Sequence, residues 1–261
     1  MTKAPAADSP LEWQTRLDDV GVPTWVSELV AGRALAPVWR NEDGGITYCV
    51  ADGSEYLKVQ RPSLDWDPGA EADRLGWVSQ FVAAPRVLTR GRHGELRWLR
   101  TAGLPGRSAV AQPWRGRPDA VVPELGRALR RFHDTVPVDQ CPFSWSAEHR
   151  VRHFGYDPAI LARVPPIDAV VCHGDACNPN FLIDDDGHFS GYVDLGGLGV
   201  ADRWADLAPA LLSLNWNYGK GWEPTFLDAY GIAPDETKWA FYTDLWNGVA
   251  DQLGRLDHRA P

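Results

Sequence analysis

Two short apolar runs, each followed by a carboxylate, are the feature that most limits what this chain can fold into. The stretch VVCHGDACNPNFLIDDDGHFSGYVDLGG, residues 170–197, places Asp175 and Asn180 on a loop after the first run and Asp194 after a later one. Runs of this length predict short strands, so the three polar side chains fall near strand ends. Two carboxylates and a carboxamide so placed are oxygen ligands that suit a hard cation such as Mg²⁺.

One of these carboxylates has a possible second use. If Asn180 and Asp194 hold the cation, Asp175 is available to accept a proton from a substrate hydroxyl, or to orient it. Taken alone, Asp175 could equally cap a turn. We expect the nearby His173 to be a buried imidazole bonded to backbone near Asp194, rather than a base.

Length, charge and cysteine content exclude several classes of protein. The 261 residues suffice for one large domain or two small ones, and 44% hydrophobic with 23% charged residues is ordinary for a globular chain. A formal net charge of -9 argues against a nucleic-acid partner, because phosphate binding needs a basic face. The cysteines form no CxxC pair, and there is no apolar leader or run of membrane-spanning length. We therefore expect a cytoplasmic protein with reduced thiols and no membrane partner.

The pattern of predicted elements changes along the chain. Before about residue 102, strand-length segments alternate with Gly-containing turns. Beyond it, helical patterns dominate, and the segment GLPG at 103–106 is the natural hinge. Strands are predicted at 35–40, 46–51, 54–60, 86–90 and 96–102, and helices at 10–19, 67–82, 123–136, 205–216, 222–232 and 234–256. We expect a strand-rich lobe over residues 1–102 and a helical lobe over 103–261.

Groups suited to phosphate binding lie in the strand-rich part. Lys58 ends a strand after a Gly-containing loop, which suits a cation that reaches phosphate oxygens, and Glu71 in the next helix could pair with it. The loop NEDGG at 41–45 can bring backbone N–H groups near phosphates, because glycine permits close approach. The candidate residues of this loop are Asp43, Gly44 and Gly45.

The order of these groups is more informative than any one of them. Lys58 alone is most simply a solvated lysine, and Glu71 alone is favoured near a helix start by the helix dipole. A Gly loop, a strand lysine, a helix glutamate, an Asp–Asn loop and a later Asp follow one another in the same order in kinase-like phosphoryl-transfer sites. The chain has no GxSxG, HExxH or GxxxxGK motif, so hydrolase, zincin and P-loop functions have no support.

Several segments resemble the aminoglycoside phosphotransferases of antibiotic resistance, in particular the 3'- and 3''-phosphotransferases. VVCHGDACNPNFLI is similar to their HGDxCxPN signature, and SGYVDLGGLGVADRWADLA is similar to their GxIDxGRxGxADRxxDLA segment. Further similar segments, at 71–88, 128–143 and 226–242, extend the resemblance over nearly the whole chain.

The resemblance implies an α+β, bilobal protein-kinase-like fold. It has a small antiparallel-sheet N-lobe (1–102) that binds nucleotide and a larger, mainly helical C-lobe (103–261) for catalysis and the acceptor, with ATP and Mg²⁺ between them. The implied reaction moves the ATP γ-phosphate to a hydroxyl of an aminoglycoside, giving ADP and a phosphate ester, and confers resistance.

The resemblance also implies roles for single residues. Asp175 takes the catalytic-base position, and Asn180 and Asp194 take the metal positions. Backbone groups of the hinge would meet adenine. The implied nucleotide-binding residues are Lys58, Glu71, Ala102 and Leu104.

Gly197 is a departure from the family pattern. The family motif has the form DxGR, whereas this chain reads Asp194-Leu195-Gly196-Gly197, so a cation near the transferred phosphate is missing. Arg203, or a stronger contribution from Lys58, would have to compensate, or turnover would be slower.

The acceptor-binding positions depart from the family as well. The relatives' acidic tail, whose carboxylates hold ammonium groups, is replaced, and the segment after CPF is shorter, with Glu148 and Asp157 as candidate acids. Trp and Asn side chains suit a less charged, sugar-like acceptor, unless acids such as Asp228, Glu223 or Asp244 fill the role. The candidate acceptor-binding residues are Asn215, Trp216, Asn217, Trp246 and Asn247.

Two other functions stay open from the sequence. One is a kinase of a sugar, amino sugar or other small metabolite, which the Trp and Asn side chains favour. The other is a nucleotide-binding pseudokinase, suggested only by the lost arginine at Gly197. For either enzyme the partner is a small-molecule acceptor with a hydroxyl group, and the sequence predicts no nucleic-acid partner, no membrane partner and no particular oligomeric state.

Overall fold

The computed structural model describes residue 17 and residues 20–41, 44–64 and 66–256. Side chains are described as far as Gly248. The helix predicted at 10–19 lies almost entirely outside the described residues, and so does Asp43. The chain divides into two compact units, Met1–Pro105 and Gly106–Pro261, so that the division falls inside the GLPG segment.

The first unit is built on an antiparallel sheet of five strands. Its strands are β1 (Leu35–Arg40), β2 (Ile46–Val50), β3 (Glu55–Gln60), β4 (Val87–His93) and β5 (Leu96–Ala102), and its helices are α1 (Thr24–Leu29) and α2 (Pro68–Val78). The strand order is β1-β2-β3-β5-β4. All five strands were predicted, as was α2, whereas α1 is too short for its apolar spacing to show helical periodicity.

One face of this sheet forms the core of the unit. Leu57 and Val59 of β3 pack against α1, with Val26 fully buried at the centre. Burying an aliphatic side chain of this size contributes about 1.5–3 kcal/mol to stability. Because successive side chains of a strand point to opposite faces, Lys58 lies on the other face of β3.

The second unit is mainly helical and carries two small sheets. Its helices are α3 (Pro118–Thr135), α4 (Ala147–Phe154), α5 (Trp204–Tyr218), α6 (Glu223–Tyr230) and α7 (Glu236–Leu256), and its strands are β6 (Arg107–Ser108), β7 (Ala169–Cys172), β8 (Phe181–Ile183), β9 (Phe189–Tyr192) and β10 (Gly199–Asp202). Strand β7 pairs with β10, and the other sheet has the order β6-β8-β9. The helices predicted at 205–216, 222–232 and 234–256 are present.

Helix α3 begins earlier than predicted. The sequence placed Pro123 at the helix front, which is wrong: the helix begins at Pro118 and contains Pro123. Pro118 suits the first position, because its fixed φ is helical and its missing N–H would have no partner there. The added turn buries Val121 and Val122, which offsets the hydrogen bond that Pro123 does not donate.

Helix α5 is deeply buried in the second unit. Nearly every side chain from Trp204 to Leu214 is shielded from solvent, including the polar Asp206, and Pro209 lies inside the helix. Its first residues follow β10 directly, so the helix runs beside the sheet that carries the polar loop. Although α5 is apolar, no helix in the described ranges is both long enough and apolar enough to cross a membrane.

Candidate active site

The first unit brings Lys58 and Glu71 together. Lys58 Nζ donates to Glu71 Oε1 at 2.9 Å and to Oε2 at 3.2 Å, and the glutamate side chain is only 4% exposed. The start of α2 fixes the glutamate, because Asp67 caps the helix by accepting from the Ala70 N–H and Pro68 takes the first position. A half-buried ammonium group is therefore oriented by a buried carboxylate.

Trp66 is a third member of this cluster that sequence analysis missed. Its indole Nε1–H donates to Glu71 Oε2, and its side chain is buried. Trp66 directly precedes the cap of α2, and a residue in that place commonly packs against the fourth helical residue, which here is Glu71. This spacing is the signal that could have found it.

The Gly loop between β1 and β2 uses its amides internally. The Gly45 N–H donates to Asn41 Oδ1 at 2.6 Å, and the Gly44 N–H donates to the Asn41 carbonyl at 3.1 Å. A phosphate would have to replace Asn41 as the partner of these amides.

Ala102 and Leu104 lie where the chain leaves β5. The Ala102 N–H donates to the Arg86 carbonyl at 2.8 Å, and the Gly103 N–H donates to the Ser54 carbonyl at 2.8 Å. Both bonds fix the backbone at the end of β5.

Tyr56 shares the face of β3 that carries Lys58, because the two residues are separated by one position in the strand. It is half-buried, and burial raises the pKa of its hydroxyl. Sequence analysis gave it no role, although strand alternation places it there. An aromatic ring on this face offers a surface on which a base can stack.

The second unit brings Asp175 and Asn180 together on the loop after β7. Asn180 Nδ2 donates to the Asp175 carbonyl and to Asp175 Oδ2, both at 3.0 Å, and the Cys177 N–H donates to Asp175 Oδ1 at 3.4 Å. The carboxylate is therefore held in one orientation. Its removal from water, together with the negative charge of Asp194, raises the pKa of Asp175.

Asn180 and Asp194 supply oxygen atoms suited to a cation. The amide nitrogen of Asn180 is used by Asp175, which leaves its carbonyl oxygen as the group that can ligate. Asp194 has a φ of 63°, a left-handed conformation that is uncommon outside glycine and is often found at functional sites. Because the charges of Asp194 and Asp175 repel each other, a divalent cation among these oxygens would be favoured, and the donor set fits Mg²⁺.

Asp206 of α5 holds the backbone of this loop, although sequence analysis gave it no role. Asp206 Oδ2 accepts from the His173 N–H at 2.6 Å, and Oδ1 accepts from the Gly174 N–H at 3.0 Å. His133 Nε2 of α3 lies 3.0 Å from Oδ2. Burial alone would raise the pKa of Asp206, but the interactions of the carboxylate with His133, His173 and the Gly174 N–H together outweigh burial, and the pKa lies below its usual value.

His173 is a buried side chain, as predicted. Its Nδ1 accepts from the Asp175 N–H at 3.3 Å, and its ring interacts with the backbone of Val193, next to Asp194. The ring also stacks on Phe181. Burial lowers the pKa of His173, so the ring is neutral at pH 7 and supports the loop rather than acting as a base.

Gly197 lies directly against the loop. A Cβ on Gly174 would lie 2.1 Å from the Gly197 carbonyl carbon, and Gly174 has a φ of 91°, so the close approach of the two backbones requires glycine at 174. The suggestion that Arg203 supplies the missing cation is wrong. Its Nε donates to Asp168 Oδ2 at 2.6 Å, and its Nη1 donates to the Tyr230 hydroxyl at 2.9 Å.

Asn215, Trp216 and Asn217 lie at the end of α5. Asn217 Nδ2 donates to the Ser213 carbonyl at 2.8 Å and to the Ser213 hydroxyl at 3.0 Å, so this side chain is bonded within the last turns of α5. Asn215 is half-buried, and Trp216 is 49% exposed. Of the three, Trp216 has the exposed surface that a ligand needs.

Trp246 and Asn247 lie on α7, and Asn247 is exposed. The rings of Trp246 and Trp145 lie 5.8 Å and 5.0 Å from the guanidinium of Arg150. Arg150 is 1% exposed, and burial lowers its pKa to about 10. Its Nη2 donates to the Leu245 carbonyl at 3.4 Å, whereas within the described part of the chain its Nε and Nη1 have no hydrogen-bond partner and face the two indoles instead.

Two overlapping stretches, residues 28–163 and 156–243, match the sequence pattern of the phosphotransferase enzyme family. The chain belongs to this family. Among other members, the aminoglycoside 3'-phosphotransferase of Streptomyces ribosidificus is 35% identical over 205 residues, which cover 66% of this chain and 77% of that protein. The streptomycin 3''-kinase of Streptomyces griseus is 33% identical over 256 residues, which cover 83% of this chain and 92% of the relative.

A solved structure of a phosphotransferase relative has the same fold. The aminoglycoside phosphotransferase APH(3'')-Id from Streptomyces rimosus, in complex with ADP and streptomycin, superposes with a TM-score of 0.62 at 29% identity, covering 80% of this chain and 94% of that one. The kinase-like α+β fold and the transferase class predicted from the sequence are thus confirmed.

Proposed function

We propose that this member of the phosphotransferase family moves the γ-phosphate of ATP to a hydroxyl of an aminoglycoside antibiotic, as a 3'- or 3''-type enzyme of the cytoplasm, and so confers resistance. The observation that carries the proposal is the Asp175–Asn180 pair on a loop fixed by Asp206. The names of the relatives support the acceptor, since they act on aminoglycosides or streptomycin, and one solved relative holds ADP with streptomycin.

Asp175 is the base in this proposal. Asn180 holds its Oδ2, and the raised pKa increases the affinity of the carboxylate for a proton. A hydroxyl bonded to the carboxylate is oriented toward the γ-phosphate and gives up its proton to Asp175 as the new O–P bond forms, while the bond from the γ-phosphorus to the bridging oxygen breaks and ADP leaves. Asn180 and Asp194 would hold Mg²⁺, and a cation bound there would neutralise charge on the phosphate oxygens. Positioning and electrostatics then supply most of the acceleration.

The first unit carries the nucleotide half of the proposal. The Lys58 ammonium group, oriented by Glu71 and still 27% exposed, reaches the phosphates. Tyr56 on the same strand face stacks on the base. The Ala102 carbonyl and the Leu104 N–H bond the edge of the base.

Phosphorylation of a less charged sugar or amino sugar is the second candidate, and the surroundings of Trp246 favour it. This indole lies over the buried cation of Arg150, and a cation there repels ammonium groups. Asp244, an acid that could replace those of the tail, is paired with Arg163 at 2.8 Å. Both observations reduce the negative charge available to a polycation.

ADP release by the purified chain with Mg-ATP tests the function. The panel is kanamycin, neomycin and streptomycin beside glucosamine and neutral sugars. We expect acceptor-dependent ADP release, and Asp175→Asn should lower it by about 100- to 10,000-fold, the usual contribution of a general base. The matched control is Asp185→Asn, which makes the same charge change at an exposed loop residue and should keep full turnover.

The outcomes separate the candidates. Turnover on the antibiotics supports aminoglycoside phosphorylation, and turnover on sugars alone supports the second candidate. Nucleotide binding without turnover on any acceptor, in wild type as in Asp175→Asn, would contradict both and indicate a binding protein.

A further inference from the structure

A line of hydrogen bonds runs from Arg203 to the polar loop after β7. Arg203 Nη1 donates to the Tyr230 hydroxyl at 2.9 Å, and that hydroxyl lies 2.7 Å from His133 Nδ1. His133 Nε2 lies 3.0 Å from Asp206 Oδ2, which accepts from the His173 N–H at 2.6 Å. Tyr230 is 1% exposed, His133 5% and Asp206 0%, so water does not substitute for these bonds.

The chemistry of the groups fixes the direction of each bond. Arginine has only donors, so the Tyr230 oxygen accepts from Arg203 and its own hydrogen is left for His133 Nδ1. A neutral ring that accepts at Nδ1 carries its hydrogen on Nε2, and this N–H donates to Asp206. The other tautomer would place an N–H against the Tyr230 hydroxyl and leave the hydroxyl hydrogen without an acceptor, which is costly in a buried site.

The same network forms hydrogen bonds at both ends of β7. Before the strand begins, Arg203 Nε donates to Asp168 Oδ2 at 2.6 Å. After the strand ends, Asp206 accepts from the two N–H groups that directly precede Asp175. A single set of bonded side chains therefore sets the position of β7 and, with it, the position of the Asp175 carboxylate.

We propose that Tyr230 is a positioning residue for phosphoryl transfer. Its hydroxyl holds His133 in the Nε2–H tautomer, and through Asp206 it sets the position of Asp175. The inference rests on the proposed function, in which Asp175 is the base. Tyr230 reaches that base only through two other side chains, so its loss should change the rate of the bound complex rather than nucleotide affinity.

Tyr230→Phe removes the hydroxyl and keeps the packing of the ring. We expect kcat to fall about 10- to 100-fold, the scale of a small misplacement of a reacting group, with KM for ATP changed less than about twofold. The control is Tyr192→Phe, which removes another buried hydroxyl, bonded to the Ala128 carbonyl at 2.7 Å, and should leave kcat within about threefold of wild type. Equal kcat in the two variants would overturn the proposal.

The ring nitrogens of His133 give a second measurement that needs no enzymatic activity. Long-range ¹H–¹⁵N correlation of the wild-type chain should show a protonated Nε2 and an unprotonated, hydrogen-bonded Nδ1. In Tyr230→Phe, the Nδ1 resonance should move toward that of an unbonded nitrogen. A protonated Nδ1 in the wild type would overturn the inference even if turnover is high, whereas the expected spectrum without turnover on any acceptor would count against the proposed function alone.

Discussion

Two buried carboxylates, Glu71 in the first unit and Asp206 in the second, are satisfied in different ways. Glu71 meets the ammonium group of Lys58 and one indole N–H. Asp206 meets two backbone amides and the imidazole of His133. The first site balances charge with charge, and the second surrounds a charge with oriented N–H dipoles.

The difference matches what each carboxylate has to do. Lys58 is 27% exposed, so its ammonium group can exchange one partner for another at modest cost when a phosphate arrives. Asp206 is 0% exposed and ties the loop backbone to α5, so any shift would leave buried donors unpaired. The ion pair is therefore suited to ligand exchange, and the carboxylate lined by N–H dipoles is suited to rigidity.

Asp206→Asn should have the largest effect on stability. An amide offers one acceptor oxygen and turns its NH₂ toward donors that Asp206 now satisfies. We expect the free energy of unfolding to fall by about 3–5 kcal/mol, measured by urea denaturation. Asp157→Asn is the control, since Asp157 caps the Ala159 N–H in an exposed turn and Asn caps equally well. Equal losses in the two variants would contradict a special role for Asp206.

Lys58→Met should affect function more than stability. The variant leaves Glu71 with its indole partner, so we expect a loss of about 1–2 kcal/mol in unfolding free energy, together with a fall of about 100-fold in kcat/KM for ATP. Lys238→Met is the matched control, because Lys238 pairs with the buried Asp202 at 2.6 Å and the bond serves packing. The control should lose stability and keep KM for ATP. If kcat/KM for ATP fell equally in both variants, the Lys58–Glu71 ion pair would have no special part in binding ATP.

The elements that the sequence predicted well are those whose partners are close in the chain. Asp175 and Asn180 share one loop, and a strand lysine followed by a helix glutamate could be paired from their elements alone. The five strands of the first unit followed from short apolar segments and turns. Hydrophobic periodicity and turn residues report on structure within a short stretch of chain, which is why these features could be predicted.

The buried network of the second unit could not be predicted in this way. His133 lies 73 residues from Asp206 and 97 from Tyr230, so no spacing in the sequence joins them. Arg203 was one of two residues suggested to replace the missing cation, because nothing local shows that its donors are used by Asp168 and Tyr230. Such contacts depend on tertiary packing that brings α3, α5 and α6 together.

Trp66→Phe should have the smallest effect, and it tests whether Glu71 needs a dipole partner besides the charge of Lys58. The variant keeps an aromatic ring at the start of α2 and removes only the N–H that donates to Glu71 Oε2. Because Lys58 still pairs with Glu71, we expect a loss of about 1 kcal/mol in unfolding free energy and a rise of about two- to fivefold in KM for ATP. Both follow if the indole restrains the carboxylate that orients the lysine.

Trp77→Phe provides the control for this prediction, because Trp77 lies in the same helix and its ring packs on Phe81. It should leave KM for ATP unchanged within about 1.5-fold, as expected of a substitution at the other end of the helix from Glu71. If Trp66→Phe changes neither KM nor stability, charge alone holds Glu71. The Lys58–Glu71 ion pair would then need no N–H donor to stabilise it, unlike Asp206, whose partners include two backbone N–H groups.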